Sequence, residues 1–268
     1  GRVLDSASAG LYSRAVTITQ VFDKLVVQVL SPVIMPAILA QTRAGEGLKR
    51  IYLDAVELLT AVHWPFHSFF AIMAQPIILV WLGPLWMDIV PLVRMLCIAY
   101  LALFAACLTY PVLVVVGSVR DALVSSLISL PPSLILVFIA SFLGVEAVAA
   151  AALLCLPFQT AVAIHFISRH LAIAPADLLA ATRKSVIVTA FGVTGPIAAA
   201  AMVHAGLIDP MSTFLLAGTT GVAGWLFGLV ATDHPLLAQV RSAVKGLSPA
   251  VSGSLLIGSV RPEEKPRR

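Results

Sequence analysis

Seven apolar runs occupy most of this chain, at residues 15–39, 55–81, 90–116, 122–143, 147–167, 185–206 and 211–231. Each is about as long as the roughly 20 residues needed to cross about 30 Å of hydrocarbon. The breaks between them are short and polar or glycine-containing: TRAGEGLKR, LGPLWMD, GSVRD, LGVE, SRHLAIAPADLLAATRKS and GLIDP. Inside a bilayer every backbone N–H and C=O must find its partner within the segment, and repeated apolar runs of this length do so as helices. The sequence therefore predicts an all-α integral membrane protein, a bundle of about seven transmembrane helices over residues 1–232, followed by a polar tail over 233–268. Composition agrees: 60% of residues are hydrophobic, only 11% are charged, and the mean hydropathy is +1.01. A soluble domain needs far more charge on its surface.

Lysine and arginine set the expected orientation. Thirteen of the 17 fall on one side of the alternating spans: Arg43, Lys49, Arg50, Arg120, Arg169, Arg183, Lys184, Arg241, Lys245, Arg261, Lys265, Arg267 and Arg268. The other side has Arg2 and Arg14, with Arg94 just inside a span near that face. The bias assigns the first side to the cytoplasm of a bacterial inner membrane, the beginning of this chain to the outside, and the C-terminus to the cytoplasm. The chain opens GRVLDSASAG, with no initiator Met and no signal-peptide pattern, so it is expected to be a portion of a longer protein.

Several chemistries find no residues to carry them. Cys97, Cys107 and Cys155 lie inside apolar runs at no metal-ligand spacing. The basic residues alternate with spans instead of forming a patch for nucleic acid. His63 and His67 stand i, i+4, a spacing that can grip zinc, but they belong to His63-Trp-Pro-Phe-His67, with no HExxH and with Pro65 between them. No metal and no cofactor is expected. A polysaccharide polymerase needs a large external loop, an intramembrane serine protease a GxSx serine, and a multispan glycosyltransferase early external carboxylates, of which only Asp5 and Asp88 are present. The last span contains no lysine for a retinal Schiff base. The chain does not read as an enzyme.

What stands out is the charge inside the first span. On a helix, Ser13, Thr17, Gln20, Lys24, Gln28 and Ser31 form one polar stripe, flanked by Thr19 and Asp23. Lys24 lies about 12–14 Å into the span at 1.5 Å per residue, too deep to snorkel readily. A charge at bilayer depth costs about 2.5–3.5 kcal/mol, so this face is expected to meet a water-filled or cargo-filled cavity rather than lipid. Lys24, Gln20, Gln28, Asp23 and, at the outer mouth, Arg14 are the candidate cavity residues. In the second span Glu57, Ser68 and Gln75 point within about 20° of one another, with Thr60 and His67 on the flank. Glu57 and His67 are candidates for coupling a proton, while Asp54, one turn after Arg50, is expected to pair with it at the edge.

The segment GLYSRA, the polar-striped helix ending VIMPAILAQTR, and a second span with mid-helix Pro65, then AQPIILVWLG and PLWMD, resemble the polysaccharide transport (O-antigen flippase) family. That family belongs to the multidrug/oligosaccharidyl-lipid/polysaccharide exporter superfamily; Pro65, Pro76, Gly83 and Trp86 are the matching positions, and the resemblance is clearest over residues 10–120. It implies a two-lobed transporter of twelve to fourteen spans working by alternating access. This chain would be its C-terminal lobe, partnered by an N-terminal helical lobe and surrounded by membrane lipid. The implied cargo is an isoprenoid-pyrophosphate-linked oligosaccharide or related precursor of lipopolysaccharide or exopolysaccharide, moved from the cytoplasmic to the outer leaflet. Lys24 and Arg14 would meet pyrophosphate, and Gln20 and Gln28 sugar hydroxyls. The alternatives are a multidrug exporter of the same superfamily and a membrane scaffold subunit that uses the stripe as a helix–helix seam.

Overall fold

The computed structural model describes residues 6–21, 24 and 47–238. Every regular element among them is helical, and six helical stretches are long and apolar enough to cross a membrane. In chain order they are α1 (Ser6–Thr19), α2 (Leu48–Trp81), a 3₁₀ turn (Pro84–Ile89), α3 (Val90–Tyr100), a second 3₁₀ turn (Leu101–Ala105), α4 (Ala106–Val115), α5 (Val119–Ser141), α6 (Val145–Leu171), α7 (Pro175–His204) and α8 (Pro210–Ala231). The second 3₁₀ turn and α4 continue α3, so Pro84–Val115 makes one crossing. Of the first expected span only the beginning, α1, lies within the described residues, as does the beginning of the tail.

Helix limits differ from hydropathy limits. α2 runs for 34 residues, about 51 Å at 1.5 Å per residue, and starts seven residues before its apolar run. The long break SRHLAIAPADLLAATRKS shrinks to the turn 172–174, because α7 begins at Pro175. The reason is local. Pro175 stands at N1, where its missing N–H costs nothing, and the Ala174 N–H donates to Asp177 Oδ2 at 2.8 Å. Polar helical turns thus extend beyond the stretch that needs hydrocarbon. α8 starts by the same logic at Asp209-Pro210, where Asp209 Oδ2 accepts the N–H groups of Met211 and Ser212, both at 3.0 Å. Those bonds, with the Ser212 hydroxyl foremost, hold the Asp209 carboxyl below its ordinary range.

Proline does not break these helices, because other elements use what it frees. Pro65 has no N–H for the Ala61 carbonyl one turn back. Trp225 Nε1–H on α8 donates to that oxygen at 2.8 Å. The carbonyl that Pro65 leaves open therefore becomes a contact with α8.

α7 and α8 pack along their length through small residues. A Cβ on Gly224 would come within 2.3 Å of the Phe191 carbonyl oxygen, and one on Gly228 within 2.9 Å of Val188 Cα, so glycine is required for this approach. The pair rests on α2 over Met73, Ile77, Ala199 and Ala217. On the other side of α2, Ala74, Ile78, Leu92, Leu96 and Cys97 join α1, α3 and α6 in the main core. α5 is outermost; it packs on α4 and α6 and leaves Leu123, Leu127, Leu134, Ile135 and Phe138 exposed, as a lipid-facing helix does. Toward α6 it turns Ser125, Ser129 and Ser133, where Gln159 Nε2 donates to Ser133 Oγ at 3.2 Å.

One end of the bundle gathers the basic residues, and it is held together by them. Lys49 Nζ bridges Asp177 Oδ2 at 2.7 Å and the Ala172 carbonyl at 3.1 Å, and His170 Nε2 meets Asp121 Oδ2 at 2.6 Å. Arg50 and Asp54 pair at 3.8 Å, both largely exposed. The Gly83 and Gly144 turns lie at the opposite end, each in a left-handed conformation that favours glycine, with φ of 88° and 110°.

Candidate functional site

The polar face of α1 is the first candidate. Ser13, Arg14, Thr17 and Lys24 are exposed, whereas Ala15, Ile18 and Thr19 are buried against the bundle. Exposed and buried residues thus alternate along α1, and Lys24, five residues past its end, is exposed as well. Thr17 and Thr19 satisfy their hydroxyls on their own backbone, at Ser13 O (2.8 Å) and Val16 O (3.0 Å). Arg14 lies over the Trp86 ring, 5.3 Å from its centroid, which places it at the end opposite the basic one. Asp23 and Gln28 lie outside the described residues.

Gln20 links this face to the interior. Its Nε2 donates to the Tyr100 hydroxyl at 3.0 Å, and the Tyr100 ring lies parallel to that of His67, with centroids 5.5 Å apart and 3° between the planes. His67 is fully buried on α2; its Nδ1–H donates to the His63 carbonyl at 3.0 Å, and the His63 ring sits 4.2 Å away. The result is a chain from the α1 surface into the core: Gln20, Tyr100, His67, His63. Among the described residues no group of three or more His, Cys, Asp or Glu side chains is placed to hold a metal ion. Tyr100 gave no sign of this role in the sequence beyond being an aromatic residue within an apolar run.

Glu57, the other coupling candidate, lies elsewhere. It is ten residues before His67, about 15 Å along the helix, and it faces α7. Its Oε1 is 3.9 Å from Lys184 Nζ and 3.8 Å from His234 Nε2, with only 17% of the side chain exposed. Beneath the charges runs a neutral seam, in which the Thr60 hydroxyl donates to Ser185 Oγ at 2.8 Å and Ser185 Oγ donates to the Glu57 carbonyl at 3.1 Å. Lys184 Nζ also donates to the Asp233 carbonyl at 3.2 Å. His234 is fully buried in the turn after α8, and the Leu236 N–H donates to its Nδ1 at 3.1 Å. A neutral His234 therefore carries its proton on Nε2, which lies 3.5 Å from Ser185 Oγ and 3.8 Å from Glu57 Oε1. Burial, and then the positive charge of Lys184, push the His234 pKa down to about 4, so the ring is uncharged at neutral pH. Thus Glu57 and His67 belong to two separate clusters. Lys184, Ser185 and His234, which complete one of them, did not emerge from the sequence as site residues.

At the opposite end of the α2–α8 contact lies an apolar crevice of about 420 Å³, lined by Phe69, Phe70, Ile77, Val80 and Trp81 of α2 and Phe214 of α8.

The model of a family described as "Polysaccharide biosynthesis protein" matches residues 1–91, which contain α1, α2 and the first 3₁₀ turn. No curated protein matches, and no solved structure does.

Proposed function

We propose that this chain forms one lobe, the C-terminal one, of a multi-pass membrane transporter that moves an isoprenoid-pyrophosphate-linked oligosaccharide, or a related polysaccharide precursor, from the cytoplasmic to the outer leaflet of a bacterial inner membrane. The observation that carries the reading is that Ser13, Arg14, Thr17 and Lys24 are exposed in the described structure, within the 91 residues that match the polysaccharide biosynthesis family. A lysine and hydroxyl groups on a spanning helix are stable where water or a polar cargo covers them. A second helical lobe facing this surface would close a cavity around it, and alternating access would follow from the two lobes rocking about the cargo.

In that cavity Lys24 meets the pyrophosphate, as a cation on a flexible stem suited to a mobile anion. Gln20, held by Tyr100, presents its amide oxygen and remaining N–H to sugar hydroxyls. Asp23 and Gln28 extend the same face. Arg14, stacked on Trp86, stands at the outer mouth. The basic end, with Lys49, Arg50, Arg183 and Lys184, lies in the cytoplasm.

The test is complementation of a strain lacking the gene. The wild-type gene should restore surface polysaccharide, and Lys24→Ala should not, although the variant reaches the membrane in normal amount. Lipid-linked oligosaccharide should then accumulate on the cytoplasmic face. Normal surface glycan from Lys24→Ala would remove Lys24 from the cargo path; normal glycan in the deletion strain itself would end the transport reading.

A further inference from the structure

We propose that Glu57, Lys184 and His234 form a proton-operated clasp at the basic end, and that proton uptake by Glu57 frees the α7–α8 pair to rock on α2. Three observations on different parts of the α2 contact lead there, and none of them depends on what the transporter carries.

The first is how the clasp is built. One carboxylate on α2 faces a cation on α7 and an imidazole N–H from the turn after α8, so a single charge ties together three elements. Both distances, 3.9 and 3.8 Å, exceed hydrogen-bond length, so Lys184 is held by attraction between opposite charges and the neutral His234 only by the dipole of its N–H. Adding a proton to Oε1 takes Glu57 from −1 to neutral and removes that attraction. Lys184 keeps its charge and its bond to the Asp233 carbonyl, so cation and turn leave α2 together. His234, uncharged and with its proton on Nε2, remains a donor on either side of the change. Facing Glu57 are Lys184 from α7 and His234 from the turn; Asp54 stands one turn away on α2 itself and pairs with Arg50. Among the described residues no other ion pair involves Glu57.

The second is that what the clasp holds is rigid. Gly195, Gly224 and Gly228 bring α7 and α8 into backbone contact, leaving no space for the two helices to slide independently. Force applied at Lys184 or His234 moves both. Deeper along α2, Trp225 grips the Ala61 carbonyl, a neutral bond that involves none of the clasp's groups. It is a pivot.

The third is that the far side of the pivot has room. The 420 Å³ crevice between α2 and α8 lies at the opposite end of this contact, lined by apolar side chains that can close on one another. A pair swinging away from α2 at the basic end closes the crevice at the other. Were the contact packed tightly at both ends, release of the clasp would have nowhere to lead.

Infrared titration of the full-length protein in lipid nanodiscs reads the proton directly, with hydrogen–deuterium exchange reading the movement. Across about pH 5 to 8, a carboxylic-acid C=O band should appear on acidification and be absent from Glu57→Gln. Lys184→Met should move its midpoint up by about one pH unit, because an opposite charge favours the ionised carboxylate. At fixed neutral pH, Glu57→Gln, which imitates the protonated acid, should raise amide exchange several-fold in residues 175–186 and 231–238, and leave 210–222 as in wild type. Lys184→Met should show the same pattern, which guards against a folding defect peculiar to one variant. A Glu57 that stays ionised across the range overturns the proposal. So does a titration that leaves exchange in those segments unchanged.

Discussion

Two polar clusters sit on the same helix and are built on opposite principles. Around His67 everything is neutral and enclosed: a fully buried imidazole between the His63 ring and the Tyr100 ring, its Nδ1–H on the His63 carbonyl. Around Glu57 a carboxylate and a cation stand partly open beside the buried, neutral His234, with Lys184 43% exposed and its Nζ 3.9 Å from the carboxylate. The difference teaches that burial depth sorts polar groups on a membrane helix. Where water cannot reach, shape and directed hydrogen bonds hold the group; where it can, charge is tolerated and stays adjustable.

The largest effect expected from that contrast is on stability. His67→Ala removes a fully buried ring and leaves a cavity, at a cost on the order of 3 kcal/mol. Glu57→Ala removes a partly solvated ion-pair partner and should cost about 1 kcal/mol. Thermal melting of the two purified variants in detergent decides it. If Glu57→Ala melts as low as His67→Ala, the ionic cluster is a structural pillar and the contrast is wrong.

Next comes the contact that lies between the clusters. Trp225→Phe takes the donor from the Ala61 carbonyl that Pro65 leaves open, and should cost about 1 kcal/mol. Pro65→Ala restores the missing N–H and should make the tryptophan dispensable, so the double variant loses less than Trp225→Phe alone. A double-mutant cycle with purely additive effects would show that the tryptophan bond does not compensate for the proline.

The two clusters also differ in how far the sequence disclosed them. Apolar runs long enough to cross a bilayer made the helices legible, because hydropathy reports the hydrocarbon directly. They do not report helix limits: Pro175–Lys184 reads as loop because its turns are polar, yet it is helical. Periodicity put Ser13, Thr17, Gln20 and Lys24 on one stripe; Ser13, Thr17 and Lys24 are exposed, while Gln20 is half-buried and bonded to Tyr100. It also put Glu57, Thr60 and His67 on neighbouring faces of α2. There it stopped. Periodicity relates residues of one helix and is silent about which helix that face meets. Ser185, 128 positions from Glu57, and Tyr100, 80 from Gln20, come into place only through tertiary packing. Thr60 went to Ser185 and His67 to Tyr100, two partners on two sides of the same helix.

A pH-dependent effect tests the cluster around Glu57. His234 is held at about 4 in the folded protein against an ordinary value of 6.5. As pH falls through 6.5 the unfolded chain takes up a proton that the folded chain refuses until about 4. Its contribution to stability is therefore complete above 6.5 and is lost across that interval on acidification. Melting temperature should fall between these values, and His234→Gln should flatten the fall. An unchanged slope in the variant would assign the acid sensitivity to other groups.

The smallest effect probes the neutral cluster where it touches the proposed cavity. Tyr100→Phe keeps the ring on His67 and deletes only the hydroxyl that receives Gln20 Nε2–H. Hydrogen bonds between membrane helices average about 0.6 kcal/mol, so folding should hardly change. The consequence should fall on Gln20 itself, whose amide loses its anchor and can turn over. If Gln20 contacts cargo, Tyr100→Phe should lower glycan export while Tyr100→Leu, which also removes the ring, lowers both export and melting temperature. Full export by Tyr100→Phe would mean that the hydroxyl only fastens α1 to α3. The neutral cluster would then be architecture throughout, and the adjustable chemistry of this helix would lie with Glu57 alone.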